Sequence, residues 1–400
     1  MINDPLLKRE FEKVFLDYLS IKNNWDDAEK KYADLLDKFY ELKKKENTFF
    51  NSENNETQDE LFSRWINEFS SLTDNYKSMI KAFNNDAKGL GYDNYYQYVM
   101  ANKEIDLALI DSIIRKVDQI TREDYKNLMK SCLNGGCNKN CKLSGQISMS
   151  RYRCAAAKMN YPSDWDSMQY SKEEFIDLAD RFFKSGNFDI FDIYKKSNIW
   201  YEKDKINNSF FYCVDFDDED YRIYSNIEPE AFSFNPLIHE FAHALHYQSV
   251  RKDVPYLLKD PNSIIAEAIA IYFDSKLFTS NIMQSKLGLP GLENNPFFKD
   301  FSNPLRIMFL RKLLRNIKFE EAVFKNPDQD FNELWWKLSK EYLFLDPSDQ
   351  EKLPEWMTSF HLVSSQGINV DYLFAVAFAA QFEHYYPDDN FVELKDKILK

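Results

Sequence analysis

Apolar residues recur along most of this chain at the three-and-four spacing of helix, and one stretch changes to the two-residue alternation of strand. Leu7, Phe11, Val14, Phe15 and Tyr18, with mixed charge between them, predict a long amphipathic helix over residues 5–45. The polar run 47–60 interrupts it, and a second helix is predicted from about Leu61 to Phe83. Asn84, Asn85 and Asp86, followed by Gly89 and Gly91, read as the next turn, with helices over 93–100 and 105–129. Two more helices are expected between Ser171 and Asn198. The period then changes. NSFFYCVDF (208–216) and YRIYSNI (221–227) flank the acidic run 217–220 and predict a hairpin leading almost directly into a helix over 235–250. Helical patterning returns over 301–324, 330–342 and 354–386, with loops near Pro290 and Pro347.

Composition agrees with a mainly helical chain. Only 9 glycines in 400 residues leave few tight turns, and 44% hydrophobic with 16% aromatic content is ample for a core. The net charge of −14 argues against nucleic acid or an anionic membrane surface as partner. The first residues alternate charge with apolar side chains, and no apolar run approaches the length of a membrane span. The expectation is a cytoplasmic monomer of one domain, 1–400, with an N-terminal helical lobe over 1–160 and a catalytic lobe over 161–400.

The helix over 235–250 carries the chemistry. It contains His239-Glu240-Phe241-Ala242-His243, an HExxH sequence. Histidines four apart lie one turn above each other, so both imidazoles can meet one metal ion, while Glu240 is rotated to where it reaches a water on that metal. A catalytic zinc needs a third protein ligand. A metzincin-type third histidine is excluded, because that position is Ser249 and His246 stands where the metzincin glycine would be. The alternative is an acidic residue on the next helix. SIIAEAIAIYFDSKLF (263–278) holds Glu267 within an apolar run, where a carboxylate is costly to bury unless paired or metal-bound. His239, His243 and Glu267 are the expected ligands of one zinc ion, and His246 and His384 are left outside the set.

Other features carry more than one reading each. Cys132, Cys137, Cys141 and Cys154 have a spacing that matches no established zinc or iron–sulfur pattern; free thiols in a reducing compartment, a second, structural metal and disulfides in an exported protein are all compatible with it. The hairpin is either a small sheet patching one side of the site or an edge strand to which an extended peptide adds. His361 precedes an irregular Ser364-Ser365-Gln366-Gly367 loop and lies eleven residues before Tyr372. It is either a satisfied structural histidine or, with Tyr372, a donor to the oxyanion formed in carbonyl attack.

HEFAH, the AEAIA helix with Glu267, the FKNPDQDFNELWW run (324–336) and FHLVSS continuing to DYLF together resemble the gluzincin peptidases grouped around angiotensin-converting enzyme, thimet oligopeptidase and oligopeptidase F, especially their bacterial relatives. Weaker similarity extends the resemblance over roughly residues 80–390. It implies a mainly α, two-lobed helical clamshell of the neurolysin-like zincin type, with a small antiparallel hairpin beside the zinc helix. It further implies Glu240 as base, His239, His243 and Glu267 as zinc ligands, His361 and Tyr372 as oxyanion donors, and Phe211, Tyr212 and Cys213 as a substrate-pairing strand. The chain departs from that pattern near the substrate. Ser359 stands where angiotensin-converting enzyme has a lysine that helps hold a C-terminal carboxylate, Phe210 replaces a family histidine, and Gly367-Ile368-Asn369-Val370 replaces a tyrosine-rich stretch. The expected function is a zinc metallopeptidase acting on short unfolded peptides, with a peptide-binding pseudoenzyme that keeps zinc for structure as the alternative.

Overall fold

The computed structural model describes residues 26–44, 58–131, 170–200, 208–215, 220–227, 233–250, 262–277, 302–345 and 352–386. The four cysteines 132–154 lie outside them. The chain is mainly helical and divides into two compact units, each built from two stretches: Met1–Ala155 with Met308–Val370, and Ala156–Ile307 with Asp371–Lys400.

In chain order the helices are α1 Asp26–Lys44, α2 Gln58–Ser70, α3 Thr73–Gly89, α4 Tyr95–Asn102, α5 Leu107–Ser131, α6 Lys172–Lys184, α7 Phe191–Lys196, α8 Phe234–Ser249, α9 Ser263–Leu277, α10 Ser302–Lys325, α11 Phe331–Leu343, α12 Phe360–Ser364 and α13 Ile368–Tyr385. The strands are β1 Asn198–Trp200, β2 Asn208–Asp215 and β3 Asp220–Asn226.

The first unit contains α1–α5, α11, α12 and α10 from Met308 onward. Its core is aromatic: Trp356 packs against Tyr76, Phe319 and Phe331 at ring-centroid distances of 5.4–5.5 Å. The helix expected over 61–83 is two helices. Ser70 and Ser71 turn their hydroxyls back onto Asn67 O (2.6 Å) and Glu68 O (2.7 Å), a local alternative to the helical ladder. The turn expected at Asn84–Asp86 is instead inside α3. Asn84 is buried there because tertiary partners satisfy it: its Nδ2 donates to Phe324 O (2.7 Å) and its Oδ1 accepts from Tyr95 N (2.9 Å). The chain turns five residues later, at Gly91 with φ +91°.

A buried ion pair ties this unit together. Arg311 is fully buried, donates from Nε to Tyr342 O (2.7 Å), and its Nη1 bonds the Asp118 carboxylate. Burial pushes the Asp118 carboxyl up, and the Arg122 and Arg311 guanidiniums overcome that and hold it below the ordinary value. The segment after Trp356 is tied down at several points. Ser359 precedes α12, and its carbonyl accepts from Leu362 N (3.1 Å). Tyr76 donates to Leu362 O (2.9 Å), Tyr32 donates to Ser364 O, and Gly367 N–H donates to the buried Glu320 carboxylate (2.7 Å). Gly367 has φ +82°, and a Cβ there would meet Met100 Cε and Val99 Cγ1 at 2.8 Å.

The second unit is built on α6–α9, the three strands and α13 from Asp371. Helix α6 opens with a complete capping box between Ser171 and Glu174. Its Phe175, Phe182 and Phe183 join Phe188, Phe234, Phe241, Tyr272 and Phe273 in one core beneath α8 and α9. The hairpin is present: β2 pairs antiparallel with β3, Phe211 opposite Ile223, with a bulge between Cys213 and Asp215. A strand that the alternation did not reveal, β1, pairs parallel to β3 on its other side, giving the order β1-β3-β2. Three residues are too few to carry a period, and their partners lie some 26 positions downstream. Among the described residues, β2 is therefore an edge strand.

Candidate metal centre

Helix α8 has an apolar face, Leu237, Ile238, Phe241, Ala244 and Leu245, sunk in the core, and this fixes the rotation of the whole helix. His239 and His243, one turn apart, then face α9. Their Nε2 atoms stand 3.0 Å from each other. Glu267 completes the group from α9, with Oε2 at 3.3 Å from His239 Nε2 and Oε1 at 3.7 Å from His243 Nε2. One donor atom from each of the three residues falls within a 4.8 Å span.

The donor set suits a divalent metal, and the surroundings prepare it. Asp274, two turns beyond Glu267 on α9, meets His239 Nδ1 with its Oδ2 at 3.0 Å. With a metal in place, an Nδ1–H donated to Asp274 would leave the Nε2 lone pair facing Glu267 and His243, the usual outer-shell support of a metal-bound histidine. Burial pulls the His239 pKa down, but the Asp274 and Glu267 carboxylates overcome it and hold it well above the usual histidine value. A field that favours a proton on this imidazole favours a metal cation beside it. Burial, with His239 next to it, pushes His243 down to about 3, so it stays neutral and able to ligate. Two imidazoles and one carboxylate are a standard set for zinc.

Glu240 and Tyr372 belong to the same neighbourhood. The Tyr372 hydroxyl hydrogen-bonds Glu267, and its pKa is raised by burial first, then by Glu267, Glu240 and Asp274. It is thus a neutral phenol, a donor throughout the physiological range. His246 is buried, burial lowers its pKa to about 4, and its ring packs edge-on to Tyr247; it is not among the converging donors. Asp274 is the residue the sequence reading used least. The available signal was its spacing: two acidic residues seven apart on an otherwise apolar helix share one face.

The remaining expected site residues are each seen in their own surroundings. His361 lies in α12 of the first unit, half-buried, its ring 5.6 Å from that of Phe360. Ser359 starts that helix without a side-chain cap bond. The backbones of Phe210, Phe211, Tyr212 and Cys213 pair with Tyr224, Ile223, Arg222 and Tyr221 of β3. Arg222 is committed to an ion pair with Asp220.

No family model matches the chain, and no curated protein matches it by sequence. Solved structures do match it, and they define a class of fold: that of the oligopeptidase F group read from the sequence. PZ peptidase A with inhibitor 2 superposes with a TM-score of 0.74 at 14% identity, over 98% of this chain and 74% of that one. A Bacillus anthracis str. Ames protein assigned as oligoendopeptidase F gives 0.67 at 15% identity, over 99% and 74%. A further structure assigned as oligoendopeptidase F gives 0.63 at 15%, over 97% and 77%.

Proposed function

We propose that the chain is a zinc-dependent metallopeptidase that hydrolyses short peptides. The observation that carries this reading is the convergence of His239, His243 and Glu267, buttressed by Asp274, with Glu240 and Tyr372 alongside. A zinc ion held by the three ligands supplies Lewis acidity, polarising a peptide carbonyl and acidifying water. Glu240 accepts a proton from the attacking water and delivers it to the leaving amine nitrogen as the C–N bond breaks. Tyr372 donates to the carbonyl oxygen as negative charge develops on it, and His361 is assigned as the second donor from the family resemblance. The backbone of β2, at the sheet edge among the described residues, offers main-chain hydrogen bonds to an extended peptide.

Substituting Glu240→Gln tests the reading. The variant should keep stoichiometric zinc by metal analysis yet lose peptide turnover by on the order of 10²–10⁴-fold, because the base is gone while the ligands remain. Activity within a few-fold of the parent would sink the mechanism. Peptide binding without chelator-sensitive turnover in the parent would favour a non-catalytic peptide binder.

A further inference from the structure

Helix α9 is gripped by α13 at two points one turn apart. Ser263 and Glu267 are four residues apart and so share a face of α9. Ser263 Oγ donates to Asp371 Oδ2 at 2.7 Å, and the next residue along, Tyr372, hydrogen-bonds Glu267. Asp371 is fully buried, a costly place for a carboxylate, and nothing in the proposed chemistry uses it. A single bond between two helices leaves a pivot. Two bonds from successive residues to one turn of the facing helix fix both separation and rotation.

We propose that Asp371 and Ser263 are positioning residues that hold Tyr372 beside Glu267, the place from which its single O–H turns from that carboxylate to the substrate carbonyl oxygen as charge develops there. This rests on the peptidase reading for its catalytic consequence, but not for its geometry. Tyr372 lies in the second turn of α13, next to the residue that bonds Ser263. Ser263, at the first turn of α9, is itself held by the backbone around it: Asn262 O accepts from Ile265 N and Ala266 N at 3.0 Å, and Asn262 Oδ1 accepts from Ile264 N at 2.9 Å. The clamp therefore starts from a capped helix end rather than a frayed one.

The experiment places 3-fluorotyrosine at position 372 and reads its ¹⁹F resonance in the parent, Ser263→Ala, Asp371→Ala and Asp371→Asn, with kinetics on the unlabelled set. Ser263→Ala and Asp371→Ala should shift or broaden the resonance and lower kcat by roughly tenfold, with KM within about twofold, since a small misplacement of a donor costs rate more than binding. Asp371→Asn should restore both, because its amide oxygen accepts the same hydroxyl. In a Tyr372→Phe background, Asp371→Ala should cost nothing further. An unchanged resonance in Ser263→Ala, or an equal loss of kcat in the Tyr372→Phe background, overturns the proposal. Should Asp371→Ala not fold, Ser263→Ala, which removes one hydroxyl, carries the test alone. If Glu240→Gln retains turnover, the peptidase reading fails, while the resonance still reports whether the clamp exists.

Discussion

Two clusters, one in each unit, set positive groups against acids in different ways. In the first, buried Arg311 meets Asp118, and the partly exposed Lys318 meets Asp111 at 2.5 Å and Glu321 at 2.8 Å, so each of these anions has a permanent cation of the protein beside it. In the second, Glu267 and Asp274 converge on imidazoles, bases weak enough to exchange a proton for a metal. The first arrangement pairs these acids with fixed charges and serves the fold. The second leaves its acids facing groups that can give way to a metal ion, as the proposed zinc site requires. A buried carboxylate is thus informative less by being buried than by what kind of positive charge faces it.

Breaking the first cluster should give the largest change in stability and none at the metal. Arg311→Met removes a buried partner of Asp118 and should cost about 3 kcal/mol, lowering Tm by about 6–12 °C in a unit of this size. Zinc content measured by metal analysis should stay at the parent level; zinc loss in proportion to the lost stability would erase the distinction between the units. The sign of the pH effect follows from the depressed Asp118 pKa. A carboxyl whose folded value lies below its unfolded value contributes stability above the unfolded value, and loses it as pH falls through the folded one. The stability gap between parent and Arg311→Met should therefore be constant near neutrality and shrink only below about pH 4. Chemical denaturation at several pH values measures it.

Opening the second cluster should act on the metal with little change in fold. Asp274→Asn weakens the support of His239 and should lower zinc affinity by about 10–100-fold, read by competition with a chromophoric chelator. An affinity within twofold of the parent would show that Asp274 is only a core residue.

The smallest effect is expected at the substrate's end. With Ser359 where a lysine would hold a C-terminal carboxylate, and Arg222 already paired with Asp220, kcat/KM for one peptide as free acid and as amide should agree within about tenfold, or 1.4 kcal/mol. A larger preference for the acid would mean that another cation fills the lysine's role.

What could be seen in the sequence depended on how local the cause was. HExxH and the apolar run around Glu267 are one-helix patterns, and their three donor atoms do converge. Most helices are likewise present within a few residues of where periodicity put them. Asn84 failed as a turn signal because its amide finds partners on α10 and α4, which no window of sequence contains. Strand β1 was hidden because its hydrogen-bonded partner is a parallel strand some 26 positions downstream. The Ser263–Asp371 bond was hidden for the same reason, since only the packing of α13 on α9 brings its partners together, whereas Asp274 shared a helix face with Glu267 in the sequence and only its role beside His239 had to wait for the packing of α8 on α9.

Gly367 has a consequence for how this chain can drift. Every replacement of glycine adds at least a Cβ, and here that atom would lie 2.8 Å from two side chains of α4 while holding a positive φ, which alone costs about 1 kcal/mol. Met100 Cε ends a flexible side chain and can give way, but Val99 Cγ1 and the positive φ still stand against any side chain at this position. Drift in the segment between His361 and Tyr372 is therefore screened twice, at the glycine by backbone and packing together and at Asp371 by its bond to Ser263.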